Sequence, residues 1–188
     1  KFLKTPIQSE GPFYPTQKPI DKDADLTLVG KNRTRADGDL LIVKGRVLKP
    51  DGNSVTKALV QIWQTNAWGR YQDHRDNSKL PWDPNFQGYG QVTTSVDGSY
   101  AFRTIKPAGY GEGYFRRPPH IHFRISGENL DTITTQMYFA GEPGNSDDRL
   151  LNNISNPEKR KMLIVQPQVV QGDKGSLAVF DIVLGGTI

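Results

Sequence analysis

A chain of 188 residues with 35% hydrophobic and 23% charged side chains is long enough for one ordinary core, and its apolar runs are too short to span a bilayer. Its net charge of +4 comes from lysines and arginines scattered along the chain rather than gathered in a stripe, so neither nucleic acid nor a membrane is expected as a partner. Cysteine is absent, which excludes disulfides and thiolate metal sites and leaves oxygen and nitrogen as the metal donors.

In chain order, residues 1–38 read as an N-terminal arm, followed by segments rich in β-branched and aromatic residues. These are DLLIVKGRVL (39–48), ALVQIWQT (58–65), GQVTTS (90–95), SYAFRT (99–104), HIHFRIS (120–126), TITTQMYF (132–139) and SLAVFDIVL (176–184). Turn signals such as Pro50-Asp51-Gly52 and Asp97-Gly98 separate them. Seven short strands so punctuated predict an all-β fold, an antiparallel sandwich spanning 1–188 as one domain. One stretch, 146–163, has helical character, and Pro157 breaks it. The connections 66–89 and 105–119 are long, as functional loops often are.

RRPPHIHFRI (116–125) holds two of the three histidines. On a strand, His120 and His122 point to one face while Ile121 turns into the core, a geometry that chelates a metal or simply exposes two polar rings. Pro118 and Pro119 stiffen the entry to that strand. The third histidine, His74, lies in a polar loop and reads as solvated. Tyr71 and Tyr110 sit beside glycines in the two long loops. Phenolates are hard anionic donors, and two of them with two imidazoles would make an N2O2 set suited to Fe(III). Two histidines with a carboxylate would suit Fe(II) instead, and three histidines zinc. Trp63 reads as core, Trp68 as core or pocket wall, and Tyr89 and Tyr100 as packing.

The blocks GPFYP (11–15), VQIWQTNAWGRY (60–71), DPNFQGYG (83–90), DGSYAFRTIKP (97–107), RPPHIHFRISG (117–127) and TTQMYFAGEP (134–143) run in register over most of residues 10–143. Together they resemble the intradiol ring-cleavage dioxygenases of the protocatechuate 3,4-dioxygenase type. The resemblance implies an Fe(3+) enzyme that cleaves a catechol between its hydroxyl-bearing carbons, inserting both atoms of O2 to give a cis,cis-muconate. It implies Tyr71, Tyr110, His120 and His122 as metal ligands, with Tyr110 the one that leaves on substrate binding. Gly109, Gly111 and Gly113 would give Tyr110 that freedom. Arg117 is implied to stabilise negative charge on the ring, and Gln136 to line the substrate pocket. Tyr14 would face the mouth of the site or pack the arm onto the sandwich.

Two departures bear on substrate choice. The loop from Tyr110 to Arg117 is shorter than in the protocatechuate enzymes and carries Tyr114 and Phe115 in place of their tryptophan. The N-terminal helical region of the catechol- and hydroxyquinol-cleaving branch has no room before Asp39, which disfavours that branch as a close relative. The expected partners are a small catechol and O2, with a homo-oligomer left open. Export is slightly favoured over the cytoplasm because the chain opens at Lys1 without an initiator Met. The competing class is a non-catalytic transthyretin-like or carbohydrate-binding sandwich module.

Overall fold

The computed structural model describes residues 1–172 and 175–185. Ten strands form two five-stranded sheets, with two short helices among the described residues. The first sheet is built on β1 (Leu40–Leu48), which pairs antiparallel with β4 (Ser99–Ile105) on one side. On its other side β9 (Ser176–Val179) and β10 (Ile182–Val183) follow it in parallel, and β8 (Gln168–Val169) closes the edge. The second sheet runs β3 (Tyr89–Thr93), β2 (Leu59–Trp63), β5 (His120–Ser126), β6 (Ile133–Phe139) and β7 (Ile164–Val165). The all-β sandwich with little helix is therefore as expected. Both sheets are mixed, since β1–β9, β1–β10 and β6–β7 pair in parallel.

The segment 176–184 is two strands rather than one. Phe180 and Asp181 bulge out between them, with the Phe180 N–H on the Lys44 carbonyl at 2.8 Å and the Asp181 carboxylate accepting from the Arg46 N–H at 2.8 Å. Gly45 makes this possible, because a Cβ there would overlap the Phe180 carbonyl. The helical stretch 146–163 is likewise split, into α1 (Arg149–Asn152) and α2 (Pro157–Lys161). Pro157 opens α2, and Asn156 caps it by accepting from the Glu158 and Lys159 N–H groups.

Alternation places the site. On β5, Ile121, Phe123 and Ile125 are fully buried between the sheets, where Phe123 meets Phe180 of the opposite sheet at 5.0 Å. Burying each of these contributes about 1.5–3 kcal/mol, and a one-residue slip would expose all three. The inner face thus fixes the register that points His120 and His122 outward. His122 lies across from Trp63 on β2 and Gln136 on β6, and His120 across from Tyr138. These outer-face side chains are nevertheless buried, because the N-terminal arm and the two long loops cover them.

Candidate metal centre

Tyr71 is delivered by the first long loop. Its N–H donates to the buried Asp76 carboxylate at 2.8 Å, and a bridge to Thr65 ties it back to the end of β2. Tyr110 is delivered by the second. Tyr110 and Arg117 exchange both backbone hydrogen bonds, at 3.1 and 2.8 Å, so the six residues between them form a closed excursion. Two of the three glycines expected to free Tyr110 also have a steric role. Gly111 sits at φ +78°, and a Cβ at Gly109 or Gly111 would overlap the carbonyl of Arg117 or Phe115, so these two are needed for close backbone approach.

The four side chains meet at one buried point. The Tyr71 hydroxyl lies 2.9 Å from His122 Nε2, 3.3 Å from His120 Nε2 and 3.3 Å from the Tyr110 hydroxyl, and the two Nε2 atoms are 3.2 Å apart. Ligands bound at about 2.0–2.2 Å from a common centre stand about 2.9–3.5 Å from one another, so these spacings fit the donor shell of one cation. His120 Nδ1 is 2.7 Å from the Pro118 carbonyl, which can only accept. Its proton therefore sits on Nδ1, and the Nε2 lone pair faces the cluster. Among the described residues no group of three or more His, Cys, Asp or Glu side chains could hold a metal. The oxygen donors at this point are phenols, which as phenolates suit a hard, highly charged ion.

Electrostatics keep the donors uncharged before any metal arrives. Burial, with Arg117 adding to it, pushes the His120 imidazole down to about 3. His122 is also held well below the usual histidine range by burial, by His120 and by Arg117, while the Ser9 backbone works in the opposite sense. Burial and the neighbouring Tyr110 raise the Tyr71 phenol well above its usual range. Tyr110 is raised by burial, with Tyr71 and Arg117 opposing. Neutral imidazoles are ready to bind a metal, whereas the phenols release protons only to a strong Lewis acid.

Arg117 is held on three sides. Its Nε donates to Asp148 at 2.6 Å, and its Nη2 to Gln136 at 2.7 Å and Tyr138 at 3.2 Å. Gln136, expected to line a pocket, is fully buried, and its remaining amide group donates to the Ser9 carbonyl at 2.8 Å. It thereby orients Arg117 and the arm. Tyr14 packs rather than facing the donors, with its ring edge-on to Trp63 at 4.9 Å and its hydroxyl on Gln61. Its neighbour Phe13, which sequence reasoning passed over, lies 4.6 Å from the Tyr71 ring. His74 is exposed and stacks on Trp82, away from the cluster, as expected for a solvated loop residue. Trp63 is buried, and Trp68 is 39% exposed. Sequence reasoning also missed Asp148 and Tyr138. The Asp148-Arg-Leu-Leu helix start was a visible signal for the first, but nothing local marks its partner. Two clefts flank the cluster, one of about 460 Å³ walled by Phe13, Tyr71 and Trp82, the other of about 550 Å³ walled by Tyr110, Arg117 and Pro118. Both have volumes in the range of small-molecule sites.

The family model described as Dioxygenase matches residues 9–186. The chain is 40% identical over 136 residues to the protocatechuate 3,4-dioxygenase beta chain of Burkholderia cepacia, covering 70% of this chain and 58% of that one. It is 32% identical over 158 residues to catechol 1,2-dioxygenase 1 of Acinetobacter lwoffii, covering 77% and 49%. It thus spans only about half the length of these curated relatives. A solved dioxygenase domain, from a dioxygenase carbohydrate-binding protein fusion of the cellulolytic bacterium Streptomyces sp. SirexAA-E, superposes with a TM-score of 0.72 at 30% identity, covering 97% of this chain and 98% of that one. An intradiol ring-cleavage dioxygenase from Tetranychus urticae shares the fold, with a TM-score of 0.78 at 18% identity over 98% and 95%. With the match extending from the arm through both sheets and across every donor, the chain belongs to the intradiol dioxygenase family.

Proposed function

We propose that this chain is a non-haem ferric intradiol dioxygenase, cleaving a small catechol between its hydroxylated carbons with O2 to a cis,cis-muconate-type product. The convergence of Tyr71, Tyr110, His120 and His122 on one buried point carries this reading. A non-catalytic sandwich module has no use for that convergence. Family membership and relatives named as dioxygenases support it.

Tyr71, Tyr110, His120 and His122 would hold the ion. Ferric iron at this point supplies Lewis acidity toward the two adjacent hydroxyls of a catechol and toward O2. The residues do the rest. The Pro118 carbonyl keeps the His120 proton on Nδ1. Tyr71 is buried and anchored through Asp76, which suits a permanent ligand. Tyr110 is part-exposed and borders a cleft, so its oxygen, deprotonated when holding the ion, would be the one to accept a catechol proton and withdraw as the neutral phenol. Arg117 places a fixed cation where negative charge grows on the ring. The covering arm and loops exclude bulk water.

The test is to load the purified protein with iron and record its visible spectrum and oxygen consumption. The expected results are a phenolate-to-ferric charge-transfer band, uptake of O2 with catechol, and none with phenol, which cannot chelate. His120→Ala combined with His122→Ala should abolish iron binding in a folded protein. A colourless loaded sample, or iron retained at full stoichiometry in the double variant, would refute the reading.

A further inference from the structure

The carboxylate of Asp148 is fully buried, and a buried charge is costly unless every lone pair is used. Here each oxygen is engaged. Oδ2 accepts from Arg117 Nε at 2.6 Å, while Oδ1 accepts from the Leu151 N–H at 2.8 Å, capping α1, and lies 3.3 Å from the Tyr138 oxygen. Tyr138 in turn donates to Gln8 of the arm at 2.7 Å. The network holds the Nε and Nη2 edge of the guanidinium and leaves Nη1 out of it. A free arginine samples many rotamers. This one has a single orientation, bordering the cleft beside Tyr110.

We propose that Asp148 is a positioning residue of the site, acting through Arg117 by locking the guanidinium so that its free Nη1 edge is presented to a bound catechol. This deepens the ferric catechol reading and rests on it. The arrangement is not needed for stability alone, since apolar groups of similar volume commonly replace a buried ion pair without loss. It is suited to holding a charge in a fixed place, which is what transition-state stabilisation requires. Capping α1 is the competing explanation for Asp148, and it makes no use of Arg117.

Asp148→Asn separates the two roles, because asparagine caps a helix as well as aspartate does but brings no charge to Arg117. Asp148→Ser keeps the cap and cannot reach the guanidinium, so it serves as the second variant. The measurement is the dissociation constant of 4-nitrocatechol on the iron-loaded protein, read from its absorbance, in the natural background and in the Arg117→Met background. Both Asp148 variants should weaken binding about tenfold, the scale of a charge-assisted hydrogen bond, and less than twofold once Arg117 is gone. In the metal-free protein, urea midpoints should show the same coupling, with Asp148→Asn costing less in the Arg117→Met background. Unchanged binding in the natural background, equal weakening in both backgrounds, or uncoupled urea midpoints would overturn the positioning role. If the unsubstituted protein takes up no iron or does not bind 4-nitrocatechol, the ferric reading itself falls.

Discussion

The indole of Trp63 lies flat on the imidazole of His122, with centroids 4.9 Å apart and planes 7° from parallel. The two residues face each other across β2 and β5, so the stack follows from strand register. It fixes the ring plane of His122, whose Nδ1 makes no well-formed hydrogen bond. Replacing Trp63 by Ala should cost about 3–5 kcal/mol through the cavity left. Trp63→Phe should keep the fold but weaken metal binding, because a smaller ring confines His122 less. Chemical denaturation and iron titration of the two variants would separate these effects.

Gly11 should tolerate no side chain. It sits at φ +69°, and a Cβ there would lie 3.3 Å from Cε1 of the His122 ring. Gly11→Ala should destabilise by about 1–2 kcal/mol from the left-handed backbone alone, and should also lower iron affinity by pressing on the ligand. An unchanged iron affinity would show that the arm gives way there instead.

Metal uptake should release protons. Both phenols are held protonated by burial, and both become phenolates when they bind iron, so about two protons should appear per ferric ion at neutral pH. Tyr110→Phe should reduce this to about one while keeping a charge-transfer band from Tyr71. A pH indicator in weak buffer reads the count directly.

Acid should destabilise the metal-free protein well above the range where carboxylates titrate. The folded-state values of His120, about 3, and of His122 lie below the ordinary histidine value of 6.5. Below pH 6.5 the unfolded chain therefore binds protons that the folded one refuses. Stability present above pH 6.5 is lost as the pH falls toward 3, by about 1.4 kcal/mol per pH unit for each histidine. Urea unfolding between pH 7 and 4 should show this slope, and His120→Asn should roughly halve it.

His74 should be dispensable for metal binding. Its exposed ring leans on Trp82 rather than on any donor. His74→Ala should retain iron and its colour, and loss of either would mean that the ligand set is wrong.

Much of this was legible before the structure. Strand β5 falls at 120–126 as alternation requires, since the pattern of Ile121, Phe123 and Ile125 has one register that buries all three. Tyr71 and Tyr110 could be singled out because an aromatic among glycines in a long loop is poorly explained by packing. The missed features are contacts between distant segments. Gln8 meets Tyr138 and Ser9 meets Gln136 across more than a hundred residues, and no local periodicity encodes that. Asp148 carried a helix-start signature, but its pairing with Arg117 depends on where β6 and α1 come to rest. The split of 176–184 was hidden for a related reason. Its residues alternate well enough for one strand, and it is the neighbour Gly45 that admits the bulge.

The double hydrogen bond between Tyr110 and Arg117 has a consequence for how such a protein can vary. It closes residues 111–116 into a loop whose two roots are fixed and whose six members are all exposed. Tyr114 leans on Arg149 at its tip, and Phe115 stands largely in solvent. Gly111 aside, whose backbone leaves no room for a side chain, residues can be exchanged, added or removed beyond that rung without disturbing the phenol or the guanidinium at its roots. The loop is therefore a free variable of the fold: it can change what the mouth of the cleft admits while the chemistry beneath is inherited intact.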